Sequence, residues 1–153
     1  MMKLCSDVLK ALEGKTLCTA ESLTGGGIGA ALTSVPGASK VFKGGVISYT
    51  DEVKREVLGV PAADLTAYGA VSAPVAQAMA LGVRQLLKAD VAVSVTGLAG
   101  PDGDEFGHEV GTVFIGYADQ NGATAGEYHF AGDRESVRAQ TIESALQLIL
   151  RKL

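Results

Sequence analysis

The sequence predicts a single α/β domain over residues 1–153, with helices on both faces of a mixed, mostly parallel sheet of about five strands, a three-layer sandwich. Three observations carry this. Segments with helical apolar spacing alternate with short β-prone runs, the pattern of helices laid against a sheet. The run Asp90–Gly97, DVAVSVTG, is almost continuously apolar up to Thr96, as a strand buried on both faces must be, so it is expected at the centre of the sheet. Late in the chain, GTVFIGYAD and TAGEYHFAG are joined across Gln120, Asn121 and Gly122, a hairpin signal that makes the last pair antiparallel.

In chain order, Leu4, Val8, Leu9 and Leu12 share one helical face, and Gly14 follows as a C-terminal stop. KTLCTAE then reads as a strand, and the glycines of SLTGGGIGAALTSV mark a tight turn into a helix carrying Ile28, Ala31 and Leu32. Pro36 and Gly37 end that helix. GGVISYT is the second strand, and Asp51 is the expected N-cap of the helical turns in DEVKREVLG. Pro61 opens a further short piece, and Ser72 with Pro74 opens a long helix to about Leu87 with Val75, Met79, Val83 and Leu86 on one face. The closing segment DRESVRAQTIESALQLILRKL places Val137, Ile142, Ala145, Leu146 and Ile149 on one stripe of a final helix.

Composition narrows the functional classes. The chain is 47% hydrophobic yet only 5% aromatic, with no Trp, so its core is built from Ala, Val, Leu and Ile. A formal net charge of −4 provides no basic field for nucleic acid, so no nucleic-acid partner is expected, although a local Arg pair remains compatible with one phosphate. The uncharged stretches Ser22–Ser39 and Leu65–Val83 contain Gly, Pro, Ser and Thr at intervals suited to buried loops and helices rather than lipid. The N-terminus lacks the unbroken apolar run of a signal peptide, being interrupted by Asp7, Lys10 and Glu13. A cytoplasmic protein with no membrane partner is the expectation, with Cys5 and Cys18 as reduced structural thiols. The Ala-rich helix Ser72–Leu87 suits a self-association face as readily as a core, and a homo-oligomer, a dimer first, is compatible with it.

The most informative stretch is Glu21-Ser22-Leu23-Thr24-Gly25-Gly26. A Ser at a strand end before glycines that open a helix can present its Oγ beside free backbone N–H groups, where an oxyanion or phosphate is stabilised. Read alone, it is equally an N-cap in a turn. A nucleophilic hydroxyl needs a base. His108 lies in a loop and His129, on a late strand, is assigned no acidic partner two residues away, so neither gives a triad positive support. With two histidines and no Cys-His cluster, no metal site is expected. Lysine serves as base when burial or nearby positive charge lowers its pKa, and Lys54, just after a strand, is the candidate; its alternative is a solvated lysine paired with an acid. Arg134 and Arg138 lie four apart on the last helix, suited to a phosphate or to a plain exposed pair.

Taken in order, ESLTGG, GGVISYTDEVK with LGV after it, GAVS, TGLAGP followed by VGTV, and a late R-x-x-x-R resemble the CinA C-terminal domain over nearly the whole chain. The resemblance implies a nicotinamide mononucleotide deamidase working by Ser-Lys chemistry, with neither metal nor cofactor. Ser22 then corresponds to the nucleophile, Lys54 to the base, and Tyr49 to a neighbour that relays a proton or steadies the lysine. Nitrogens near Gly25 and Gly26 would hold the oxyanion, and Thr24 belongs to the same turn. Thr96, Gly97 and Gly100, in the loop after the central strand, together with Arg134 and Arg138, would hold the nucleotide. The family commonly has Cys where this chain has Leu23, and Lys-Pro where it has His108-Glu109-Val110, and the loop Asp102–Glu109 is unusually acidic. Two rival readings follow: a catalytically silent nucleotide-binding module, and a Ser-Lys amidase or esterase acting on another small substrate.

Overall fold

The computed structural model describes residues 1–153. Its elements are α1 (Met2–Ala11), β1 (Leu17–Glu21), α2 (Gly27–Thr33), a 3-10 turn (Ala38–Lys40), β2 (Phe42–Ile47), α3 (Asp51–Glu56), α4 (Ala62–Tyr68), α5 (Ala73–Leu87), β3 (Val91–Gly97), β4 (Thr112–Asp119), β5 (Gly122–His129) and α6 (Arg134–Lys152). The five strands form one sheet in the order β2-β1-β3-β4-β5. β1 pairs parallel with β2 and β3, while β3–β4 and β4–β5 pair antiparallel. Only β4 therefore runs against the rest, and β3 is the central strand. The apolar run that predicted its position is buried from Val91 to Thr96.

Strand periodicity divides the core in two. Leu17, Val91, Val93, Val95, Val113, Ile115 and Tyr117 face α1, α2 and α6, whose Val8, Leu12, Ile28, Leu32, Leu146 and Ile149 complete one cluster. Cys18, Ala20, Ala92 and Ala118 face the other way, against Val75, Met79, Ala80 and Val83 of α5 with Leu58 and Val60. The Ala-rich face of α5 is thus spent on the sheet, and Leu81 and Leu86 are left exposed on its outside. Both thiols are buried and free, Cys5 in the first cluster and Cys18 in the second, with the sheet between them. No helix is long and apolar enough to cross a membrane.

Several boundaries differ from the sequence reading. β2 begins at Phe42 and stops at Ile47, which leaves Ser48-Tyr49-Thr50 as a connection rather than strand. Thr50, not Asp51, caps α3: its Oγ1 accepts the Val53 N–H at 3.3 Å, and Asp51 is the first helical residue, where an acid also suits the helix dipole. β5 starts two residues earlier than its β-prone run, because the turn is Gln120-Asn121 alone. His129 does have an acidic partner: its Nε2 lies 2.7 Å from Glu127 Oε2, both on the exposed face of the edge strand β5.

α5 approaches the preceding loop so closely that a Cβ at Gly82 would overlap the Leu58 carbonyl group. Alanine is the better helix former by about 1 kcal/mol, yet overpacking against immobile backbone costs about 1–3 kcal/mol. Gly82→Ala is therefore expected to lower the thermal midpoint, and a midpoint equal to or above wild type in a circular-dichroism melt would contradict the close approach.

Candidate active site

β2, β1 and β3 end side by side, and in open α/β sheets ligands collect beyond such carboxyl ends. Here the edge opens into a cavity of about 440 Å³ lined by Ser22, Leu23, Tyr49, Asp51, Lys54, Thr96, Gly97, Gly100 and Arg134, among others. That volume is in the range of small-molecule sites.

Ser22 is the first residue past β1. Its N–H donates to Val95 O at 3.1 Å, continuing the β1–β3 ladder by one residue and fixing where the side chain projects. That side chain is held on the α5 face, where α3 delivers Lys54. The lysine Nζ lies 3.1 Å from Ser22 Oγ and 3.4 Å from the Tyr49 carbonyl oxygen. Only 1% of Lys54 and 7% of Ser22 are exposed. Burial pushes the lysine below its ordinary 10.5, and the Asp51 carboxylate opposes that shift in part. An amine whose pKa is lowered by burial, in hydrogen-bond contact with a buried hydroxyl, is an arrangement suited to a base and a nucleophile.

The turn after Ser22 is built around Glu21. This carboxylate, 2% exposed, accepts the hydroxyls of Thr24 at 2.7 Å and Thr19 at 3.2 Å, and the N–H groups of Ile28 at 2.8 Å and Gly29 at 3.0 Å. Glu21 thereby caps α2, whose own N-cap Gly26 has no side chain to offer. Gly25 and Gly26 both take positive φ, 58° and 97°, which lets the chain reverse between Ser22 and the helix.

The expected nucleotide ligands separate into two groups. Thr96, Gly97, Gly100 and Arg134 line the cavity; Thr24, Gly25, Gly26 and Arg138 are not among its lining. Thr24 is committed to Glu21, and the Gly25 N–H donates to the Ser22 carbonyl at 3.1 Å. Near the oxyanion site expected at Gly25 and Gly26, the N–H groups of Leu23 and Gly26 have no partner within the chain, and of these two residues Leu23 lines the cavity. Arg138 braces the turn from α6, its Nε donating to Leu23 O at 2.9 Å and its Nη2 to Thr24 O at 3.2 Å. Arg134 spans the cavity mouth, donating to Gly100 O at 2.6 Å and to the Tyr49 hydroxyl at 3.1 Å. Tyr49 is 57% exposed; it steadies Lys54 through its backbone carbonyl, and its hydroxyl faces Arg134 rather than the lysine.

Sequence reasoning missed the far wall. Leu65, Ala70 and Val71 line it, and the ring of Phe106 stands against Gly69, where a Cβ would meet the ring at 2.6 Å. The loop carrying Phe106 closes on Asp104, whose carboxylate accepts the Phe106 and His108 N–H groups at 3.1 and 2.9 Å and meets His108 Nδ1 at 2.8 Å. Burial alone would raise the Asp104 pKa, but the His108 side chain and these N–H groups prevail and hold it below the ordinary carboxylate value. No group of three His, Cys, Asp or Glu side chains is arranged to hold a metal ion.

Fold and site together define an α/β/α domain with a buried serine–lysine pair at the carboxyl edge of its sheet. The chain belongs to the CinA family: the model of the CinA C-terminal domain matches residues 1–153. A CinA-like protein of Geobacter metallireducens is 48% identical over 140 residues, 92% of this chain and 34% of that protein. One from Synechococcus is 60% identical over 114 residues, 73% of this chain and 27% of its own length. The chain thus spans between about a quarter and a third of the length of these curated relatives. Among solved structures, a competence damage-inducible protein A of Klebsiella pneumoniae superposes with a TM-score of 0.96 at 38% identity, covering 99% of this chain and 95% of that one. A CinA superfamily protein of Escherichia coli gives 0.97 at 36%, covering 99% and 90%.

The lysine has a consequence for stability. Because its folded pKa is depressed, the unfolded chain holds more protons between that lowered value and 10.5, so stability rises with pH across that window. Below the window the full cost of burying Lys54 is present. Unfolding by denaturant at a series of pH values is expected to show wild type gaining on Lys54→Met as pH rises toward 10.5. A pH-independent difference would mean the lysine is not desolvated.

Proposed function

We propose that this domain is an amidohydrolase that converts nicotinamide mononucleotide and water into nicotinic acid mononucleotide and ammonia. The observation that carries the reading is the 3.1 Å contact between Lys54 Nζ and Ser22 Oγ, buried at the base of an open cavity. Membership of the CinA family supports it. Neutral Lys54 takes the Ser22 proton as Oγ attacks the carboxamide carbon, and the free N–H of Leu23 receives the charge that develops on oxygen. The lysine proton passes to the leaving nitrogen and ammonia departs. Water, deprotonated by the same amine, then hydrolyses the ester and restores Ser22. Arg134 uses two of its five donor N–H groups within the chain, leaving others for the phosphate.

One observation favours a second substrate class. Asp51, Asp102, Asp104 and Glu105 also line the cavity, an excess of negative charge that suits a carboxamide without a phosphate. The test is ammonia release by the purified protein in chelator-containing buffer, from nicotinamide mononucleotide and from its dephosphorylated nucleoside. Turnover of the mononucleotide sustains the proposal, and turnover of the nucleoside alone selects the second class. Binding without turnover of either leaves a silent nucleotide-binding module.

A further inference from the structure

Ser48 is fully buried, and its Oγ is the one buried side-chain polar atom in the molecule without a hydrogen-bond partner. Such an atom costs stability unless some state of the protein uses it. Its place in the sheet indicates which state. In the parallel ladders Glu21 stands beside Ile47 on one side and Val95 on the other. The next step is continued by the Ser48 N–H to Glu21 O at 2.9 Å and the Ser22 N–H to Val95 O at 3.1 Å. Ser48, Ser22 and Thr96 therefore stand abreast at the ends of β2, β1 and β3. By strand alternation all three follow Val46, Ala20 and Ser94 onto the face covered by α3 and α5, which is the face Lys54 enters. Thr96 is committed to Ala70 O at 2.9 Å. Ser48 is the hydroxyl of the row left over.

The lysine supplies the matching demand. As a neutral amine, Lys54 offers its lone pair to Ser22 and has two N–H donors; once it has taken the Ser22 proton it has three and no lone pair. The chain presents it with two acceptors, Ser22 Oγ and the Tyr49 carbonyl. An ammonium buried with a donor unmet is costly. We propose that Ser48 is a positioning residue for Lys54, its hydroxyl turning to accept a hydrogen bond from Nζ when the lysine carries the proton taken from Ser22. The inference rests on Lys54 being the base, but not on the identity of the substrate.

The other charged groups around Lys54 are Asp51 from its own helix, Arg134 from α6, and Asp102, Asp104 and Glu105 from the loop after β3. All are unchanged in variants at position 48, so a shift seen there reads the hydroxyl. The test follows the carbon-13 resonance of the Lys54 ε-methylene through a pH titration of wild type, Ser48→Ala and Ser48→Thr, with the signal assigned by its loss in Lys54→Met. Removing an acceptor for the ammonium is expected to lower the Lys54 pKa by about one unit, and threonine, which keeps the hydroxyl, is expected to restore it. Where the domain hydrolyses an amide, the acid limb of kcat/KM moves down with it and the maximal rate falls roughly tenfold. Equal titration in all three proteins overturns the proposal, and so does an equal fall in both variants. Because the titration needs no substrate, a protein inert toward nicotinamide mononucleotide tests it just as well.

Discussion

Replacing Ser22 with Ala or Lys54 with Met is expected to lower carboxamide turnover roughly 10⁴-fold or more, with the double variant no slower than either single one. Under the proposed mechanism the pair acts as a unit: without the hydroxyl the amine has nothing to deprotonate, and without the amine the hydroxyl stays protonated at neutral pH. The folded state should respond in the opposite sense. Lys54 is among the largest fully buried side chains in the molecule, and methionine fills similar space without removing an amine from water. Lys54→Met is therefore expected to be inactive and at least as stable as wild type near neutral pH, a trade of stability for function. Rate measurements on the four proteins, with thermal midpoints beside them, decide the matter. Losses that simply multiply in the double variant would show two independent contributions instead of one dyad.

Glu21→Ala is expected to cost at least about 3 kcal/mol of stability, since hydrogen bonds to a charged group contribute about 1.5–3 kcal/mol each and this carboxylate accepts four. Glutamine does not rescue it. One of its two terminal positions becomes a donor, and both carboxylate oxygens face donors, so one side must lose its acceptor. Activity should fall with stability, because the turn that carries the Leu23 N–H hangs from the same carboxylate. Denaturant titration of wild type, Glu21→Ala and Glu21→Gln checks this, and Glu21→Gln at wild-type stability would show that the cap is dispensable.

The layers of the fold were legible in the sequence because burial leaves a periodic mark. The unbroken apolar run of β3 and the apolar stripe of α6 each predicted their own surroundings. Strand ends were less legible: GGVISYT remains β-prone beyond Ile47, and only tertiary pairing decides that the chain leaves the sheet there to bring Tyr49 and Lys54 round. Within the site, Ser22 and Lys54 could be nominated by chemistry and family resemblance, while their contact across 32 residues is a product of the β1–β2 pairing. Arg134 and Arg138 are the same residue type at helical spacing, yet one faces the cavity and the other braces a turn. No local pattern distinguishes those roles. Glu21 stood in the motif that drew attention to Ser22, and its signal was the absence of a capping side chain at the glycine-rich start of α2. Phe106 and Gly69 had no signal at all, since their meeting depends on the shape of two loops.

Cys5 and Cys18 sit on opposite faces of the sheet in dry packing, and burial raises both thiols, Cys18 to about 12. Neither is a thiolate at physiological pH, so electrophilic labels find almost no purchase on the native protein. Ser22→Cys would change that at a single point, placing a thiol beside a buried amine at the cavity base. The domain thus comes with a silent background for covalent tagging: a maleimide dye or an activity-based probe would report the occupancy of this one cavity, with no other cysteine to remove first.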